Sequence, residues 1–247
     1  MPKSIKILWA VCAVLVLFTF FYMSLQNQMK AAQKRDLENR AENLQKYEAK
    51  KARVEAKIQT AEMTSEIKEL NASGRYMDAA AVAQKTVELD PQNSRAFTWW
   101  GISLVKMGKK AEAVEKFIHS ARLDPNHAKT YIYWGLTLAI EEKYQDAIDK
   151  YENALLLEPE NSDIYTYWGG ALVKQGKYDE AIAKLKEALN FNSNNELAYG
   201  LLVDSQYHTG NYSKAWQTVA RARKQKVIIA EASLQRLASA SPESASR

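Results

Sequence analysis

Cysteine is nearly absent: the 247 residues hold one, Cys12. A single sulfur excludes an internal disulfide and any Cys-based zinc site, and three histidines are few for a transition-metal enzyme. Glycine (9) and proline (5) are also scarce, which excludes collagen-like and Pro/Gly-rich chains. No Gly-rich phosphate loop, nucleophile elbow or H-E-x-x-H motif occurs. The chain therefore reads as a non-enzyme without cofactor or metal. With 47% hydrophobic and 26% charged residues, it has the composition of a globular chain with a sizeable core rather than of a disordered one.

The formal charge of +5 is unevenly placed. Residues 1–25 carry +2, 26–59 carry +4, 60–220 carry −5 and 221–247 carry +4. The basic excess lies on flanking segments, so a nucleic-acid partner is disfavoured. The densest basic run, Arg221 to Lys226, sits near a helix end, where cations are favourable without any ligand; an anionic lipid, an acidic partner or RNA is the other reading.

From Ile7 to Leu25 run 19 residues without a charge, Gly or Pro. As a helix they extend ~29 Å at ~1.5 Å per residue, enough for a bilayer core. Lys3 and Lys6 would also suit a signal peptide, but no A-x-A-like cleavage site follows, and Trp9, Ala10 and Val11 before Cys12 make no lipobox. The expectation is an uncleaved, single-pass anchor, in the inner membrane if the chain is bacterial. Lys30, Lys34, Arg35 and Arg40 after the span favour a cytoplasmic C-terminal part by the positive-inside count. A short basic tail before an apolar run instead suits a signal anchor with an exported C-terminus, and the reading leans that way.

No Pro or Gly occurs between Pro2 and Gly74. Residues 26–72 are mostly strong helix formers, so one long helix, ~100 Å from the membrane to residue 72, is expected. Its heptad row fails after Leu37 and Leu44, with Lys51 next. What remains is a loose apolar stripe of Leu37, Ala41, Leu44, Tyr47, Val54, Ile58 and Ala61, suited to a solvated spacer or to weak self-association.

Beyond it the sequence repeats with a period of 34. Ala79, Ala113, Ala147, Ala181 and Ala215 keep this step, as do Trp100, Trp134 and Trp168, each followed by Gly, and Pro91, Pro125 and Pro159. Each unit reads as a helix, a break at Gly74, Gly108, Gly176 or Gly210, a second helix, and a stop at Asp-Pro or Glu-Pro. The pattern resembles the tetratricopeptide repeat, W-x2-L-G-x2-Y, A-x3-F, P. The central units read Phe97-x2-Trp100-Gly101, Tyr131-x2-Trp134-Gly135 and Tyr165-x2-Trp168-Gly169, then Ala113-x3-Phe117, Ala147-x3-Tyr151 and Ala181-x3-Leu185. Trp has moved to the usual Leu position. The end units depart further, with Ile67 and Val203 in place of the first-helix Gly and no terminal Pro in the last.

The resemblance implies an all-α fold, a right-handed superhelix of helix-turn-helix repeats, here preceded by the transmembrane helix and the long polar helix. The expected segments are a basic tail (1–6), anchor (7–25), charged linker (26–59) and five units (60–93, 94–127, 128–161, 162–195, 196–226). A capping helix (227–240) follows, in which Val227, Ile228, Leu234 and Leu237 cover the last unit, then a disordered tail (241–247).

By the same resemblance, the first helices line a concave peptide-binding groove. Its positions map onto Arg95, Thr98, Ile102, Val105 and Lys106; Lys129, Ile132, Leu136, Ala139 and Ile140; Asp163, Thr166, Gly170, Val173 and Lys174; and Leu197, Gly200, Asp204, Tyr207 and His208. Trp99, Tyr133 and Tyr167 either rim this surface or pack between units. Family members that clamp carboxylate termini use a Lys/Asn/Arg set where this chain has Thr64, Lys68, Trp99, Lys129 and Tyr133, so that ligand fits poorly. An apolar centre instead suits a hydrophobic or amphipathic protein segment. Asp204 and His208, four apart, make a polar spot in the groove or a weak metal pair. The expected function is a membrane-anchored scaffold that assembles or recruits a complex. A non-catalytic regulatory subunit of a membrane enzyme or export machine, and a self-assembling homo-oligomer, are the alternatives.

Overall fold

The structure, a computed structural model, describes residues 3–242, with side chains from residue 14 onward. It divides into two units, Met1–Ile58 and Gln59–Arg247, and the boundary falls inside the first helix, α1 (Lys3–Ala72). Within the first unit α1 runs without a break, as its lack of Gly and Pro requires. Ion pairs one turn apart, Arg40 to Asp36 at 2.9 Å and Lys46 to Glu42 at 2.6 Å, decorate it; such exposed pairs add only ~0.3–0.5 kcal/mol each. Leu37, Leu44, Tyr47 and Ile58 of the apolar stripe are all exposed. Among the described residues no helix is long and apolar enough to cross a membrane. The expected anchor, 7–25, falls partly outside them, since side chains 7–13 are not described. Its visible part presents Leu17, Phe18, Phe20 and Phe21 as exposed side chains. The expected tail also lies outside the described residues from 243 onward.

The second unit is built entirely from helices among the described residues: the end of α1, then α2 (Tyr76–Leu89), α3 (Ser94–Lys106), α4 (Lys110–Leu123), α5 (Ala128–Ile140), α6 (Tyr144–Leu157), α7 (Ser162–Lys174), α8 (Tyr178–Phe191), α9 (Glu196–His208), α10 (Tyr212–Lys224) and α11 (Glu231–Ala240). First helices pack on their own second helices and on the first helices of the next pair, so α3, α5, α7 and α9 stack side by side. Ile67 and Leu70 at the end of α1 pack with Ala79 and Ala83 of α2 and so form the first pair.

The turn inside each pair needs a left-handed residue. Gly74, Gly108, Gly176 and Gly210 supply it with φ between +71° and +81°, but the third pair turns at Glu142, φ +61°. A side chain there costs ~1–2 kcal/mol, and the missing Gly is why that break escapes the sequence pattern. Between pairs, Asn93, Asn161 and Asn195 cap α3, α7 and α9, each side-chain oxygen accepting a backbone N–H at 3.0 Å.

The two helices of a pair cross at Gly101, Gly135 and Gly169. A methyl group on Gly135 would lie 2.5 Å from the Tyr151 ring; on Gly101, 2.5 Å from Phe117; on Gly169, 2.7 Å from Leu185. The tryptophans beside these glycines are half-buried against the core, and Lys116, Lys150 and Lys184 lie over Trp100, Trp134 and Trp168 at 4.2, 4.4 and 3.6 Å. Each such cation–π contact contributes ~0.5–1 kcal/mol.

At the C-terminus Leu237 is fully buried against Val203, Ala215 and Val219, with Leu234 beside it, so α11 closes the stack. Ile228 does not cover the last unit: it is 79% exposed, and its neighbour Ile229 is buried instead. Residues 227–230, expected in the capping helix, are not helical, and α11 starts only at Glu231.

Gly135→Ala is expected to destabilise the stack by ~1–3 kcal/mol through overpacking against Tyr151. Gly200→Ala, where an added methyl meets nothing within 4 Å, should stabilise it by up to ~1 kcal/mol through helix propensity. Urea unfolding followed by circular dichroism reads both.

Candidate functional site

The stacked first helices enclose an apolar cavity of about 380 Å³ between α5, α7 and α9, with α6 behind. Leu136, Ile140, Tyr167 and Val173, expected in the groove, meet in its lining together with Ala139, Thr166, Gly170, Lys174 and Leu197. Ile140 and Leu197 are each 53% exposed at its mouth. Tyr144, Tyr151, Ala171 and Leu201 complete the wall, and sequence reasoning missed them as site residues. Tyr151 belongs to the crossing row of Phe117 and Leu185; the only signal in the sequence was a hydroxyl where its counterparts carry hydrocarbon. That hydroxyl is buried with no hydrogen-bond partner among the described residues, a state that costs ~1–3 kcal/mol. Burial, reinforced by the neighbouring Tyr167, holds the phenol far above its usual pKa, and burial raises Tyr167 too. Both stay protonated donors.

The other expected groove residues separate into different environments. Arg95, Lys106 and Asp163 are exposed. Ile102 is buried with Leu104, Ala113 and Phe117, against which Trp99 and Tyr133 pack. Lys129 lies 4.7 Å over the Trp99 ring, so these two form a cation–π bridge between neighbouring units. Ile132 packs against the large cluster around Tyr151. Asp204 is paired with Arg236 of α11 at 2.9 Å, and the same guanidinium sits 6.0 Å from the Tyr207 ring. The capping helix thus engages the groove's C-terminal end. His208 stacks on Tyr178 at 4.6 Å rather than pairing with Asp204. Among the described residues no group of three or more His, Cys, Asp or Glu could hold a metal ion.

Thr98 leaves the groove altogether. It is fully buried, 2.8 Å from both Ser120 and Thr130 and 3.2 Å from Nδ1 of His127, while Ser120 donates to the Ser94 carbonyl at 2.8 Å. His127 occupies the register position of the capping asparagines, and its Nδ1 also lies 3.0 Å from Thr130. Desolvation lowers its pKa, as do Arg95 and Lys129, with Asp124 and Glu158 opposing.

Tetratricopeptide repeat family models match residues 66–128, 134–196 and 172–227. Among solved structures the chain is similar to MamA (21% identity, covering 64% of this chain and 92% of that one, TM-score 0.59) and to a MamA fragment from Desulfovibrio magneticus RS-1 (16%, 68% and 94%, 0.60). It is also similar to PilF of Pseudomonas aeruginosa (20%, 76% and 85%, 0.67). At these identities the likeness is one of fold. No curated protein matches.

A histidine held neutral in the native state gives a pH signature of one sign. The unfolded chain protonates near 6.5 while the native one resists, so stability is retained above 6.5 and falls as pH drops through that value towards the lowered native pKa. Urea midpoints measured from pH 8 to pH 5 should fall in the wild type and fall less in His127→Asn, which restores the cap used at the other junctions.

Proposed function

Because the chain belongs to the tetratricopeptide repeat family, we propose that it is a non-catalytic scaffold whose groove over α5, α7 and α9 binds a hydrophobic or amphipathic protein segment, assembling or recruiting a complex at a membrane. The cavity carries this reading: two large apolar side chains, Ile140 and Leu197, are half exposed beside a wall of mostly half-buried apolar ones, and exposed apolar concavities mark interaction surfaces. The uncharged run 7–25 supports a single-pass anchor. In this reading the repeats lie on the exported side of that membrane. A photo-crosslinking residue at Lys174, on the cavity lining, is expected to trap a partner chain from detergent-solubilised membranes. The same residue at Leu156, 82% exposed on α6 but outside the lining, is expected not to. Ile140→Glu with Leu197→Glu should abolish co-purification while the unfolding midpoint holds, since both sites are half exposed. Equal trapping from both positions would remove the groove as the working surface.

A second reading, self-association, is favoured by the exposed stripe Leu37, Leu44, Tyr47 and Ile58 on α1. Concentration-dependent oligomers in sedimentation velocity, lost on deletion of residues 30–58, are the expected outcome; a monomer at high concentration would exclude it.

A further inference from the structure

The outer face of α10 breaks the charge pattern of the other second helices. In the first turns of α2, α4, α6 and α8 one register position, 34 residues apart, holds Asp78, Glu112, Asp146 and Glu180; in α10 it holds Lys214. A helix N-terminus favours an anion there, so this lysine stands against the dipole. The basic run at the other end of α10 has the dipole on its side, yet the two belong to one stretch. From Ser205 to Ala230 there is no Asp or Glu, whereas the equivalent stretches one, two and three periods earlier each hold several. Ala215, Thr218, Val219 and Ala222 take the buried face of α10. Lys214, Arg221 and Lys224 are exposed and fall within about 80° of one another around the helix at ~100° per residue. The exposed residues among them, Ser213, Gln217 and Ala220, are uncharged.

Two further exceptions lie just past the helix end. Lys226 takes the left-handed conformation, φ +59°, where glycine is the usual residue. Ile228 is 79% exposed, although Val227 packs against the large core cluster and Ile229 is buried in it. Anchored neighbours on both sides thus hold a branched apolar side chain in water beside a basic face. Going beyond the groove reading and not depending on it, we propose that this face docks on an anionic lipid bilayer. Lys214, Arg221, Lys224 and Lys226 meet the headgroup phosphates and Ile228 enters the acyl boundary. Each such charge strengthens attachment to an anionic membrane roughly fivefold. A few charges with one apolar side chain give reversible contact, which suits a chain that the run 7–25 would already hold at a bilayer. An acidic polypeptide or RNA would gain nothing from Ile228. RNA would also lack rings to stack on, since Tyr212 and Trp216 of α10 pack against the cluster of Val203, Val219 and Leu237.

The test uses the whole chain, Cys12→Ala, with an environment-sensitive fluorophore on Ile228→Cys. It is reconstituted with vesicles of phosphatidylcholine, or of phosphatidylcholine mixed with phosphatidylglycerol. On the mixed vesicles the emission should shift to the blue and be quenched by nitroxide-labelled lipid; on neutral ones it should not. The same fluorophore on Leu156→Cys, equally exposed but on α6, should report water on both. High salt should reverse the shift. Lys214→Glu, which restores the carboxylate of the other second helices, combined with Lys226→Gly, which relieves the left-handed backbone, should lower the docked-to-free ratio roughly tenfold or more. The same pair should raise the thermal midpoint or leave it unchanged, so lost docking cannot be lost folding. Emission alike on both vesicle types, or unmoved by the two substitutions, overturns the proposal. So does binding of polyglutamate or single-stranded RNA in detergent that the substitutions abolish while the lipid signal stays absent. Flotation with neutral vesicles reads the anchor separately, so its failure leaves a docking seen on mixed vesicles standing.

Discussion

The second unit depends on one steric relation, repeated three times: a residue without a side chain on the first helix of a pair faces a bulky ring or branched chain on the second. At Gly135 the space that a methyl group would need is already occupied by Tyr151 at 2.5 Å, and Gly101 and Gly169 meet Phe117 and Leu185 in the same way. Close crossing brings each first helix down onto its partner. The first helices then lie near enough to stack on one another, and the cavity between α5, α7 and α9 follows from that stacking. A protein interior tolerates neither an added methyl nor a lost one at such a point.

A regular repeat makes its own exceptions informative. Three substitutions at otherwise regular positions fall on or beside the third unit. His127 replaces a capping asparagine, Glu142 replaces a turn glycine, and Tyr151 adds a hydroxyl where its neighbours are hydrocarbon. Each carries a cost that its counterparts avoid: a desolvated imidazole, a left-handed backbone with a side chain, and a buried polar atom without a partner among the described residues. All three fall on or beside the unit whose α5 and α6 contribute to the groove wall. Natural chains hold local inconsistency of this kind at working sites more readily than elsewhere.

The charge distribution fits the same division of labour. The repeats are mildly acidic overall, the flanks are basic, and three second-helix lysines, Lys116, Lys150 and Lys184, lie over tryptophan faces. Between α5, α7 and α9 the groove wall is apolar, with Lys174 exposed beside it.

Much of this was legible in the amino-acid order. The period of 34, the small residue at each crossing and the glycine turns are local or strictly periodic signals, and one helix geometry turns each into structure. The lack of Gly and Pro between Pro2 and Gly74 likewise determined a single long helix. Site membership was different, because residues at equivalent register positions met unlike neighbours. Thr98 went into a hydroxyl cluster, Thr166 to the cavity wall, Asp204 to Arg236 and His208 to Tyr178. Tyr151 lies at the cavity wall on a second helix, and the groove pattern drew on first helices only. Periodicity determines which way a side chain leaves its own helix; whether it ends in a groove, a junction or a crossing depends on what the adjacent units and the capping helix place opposite it, and only packing in three dimensions decides that.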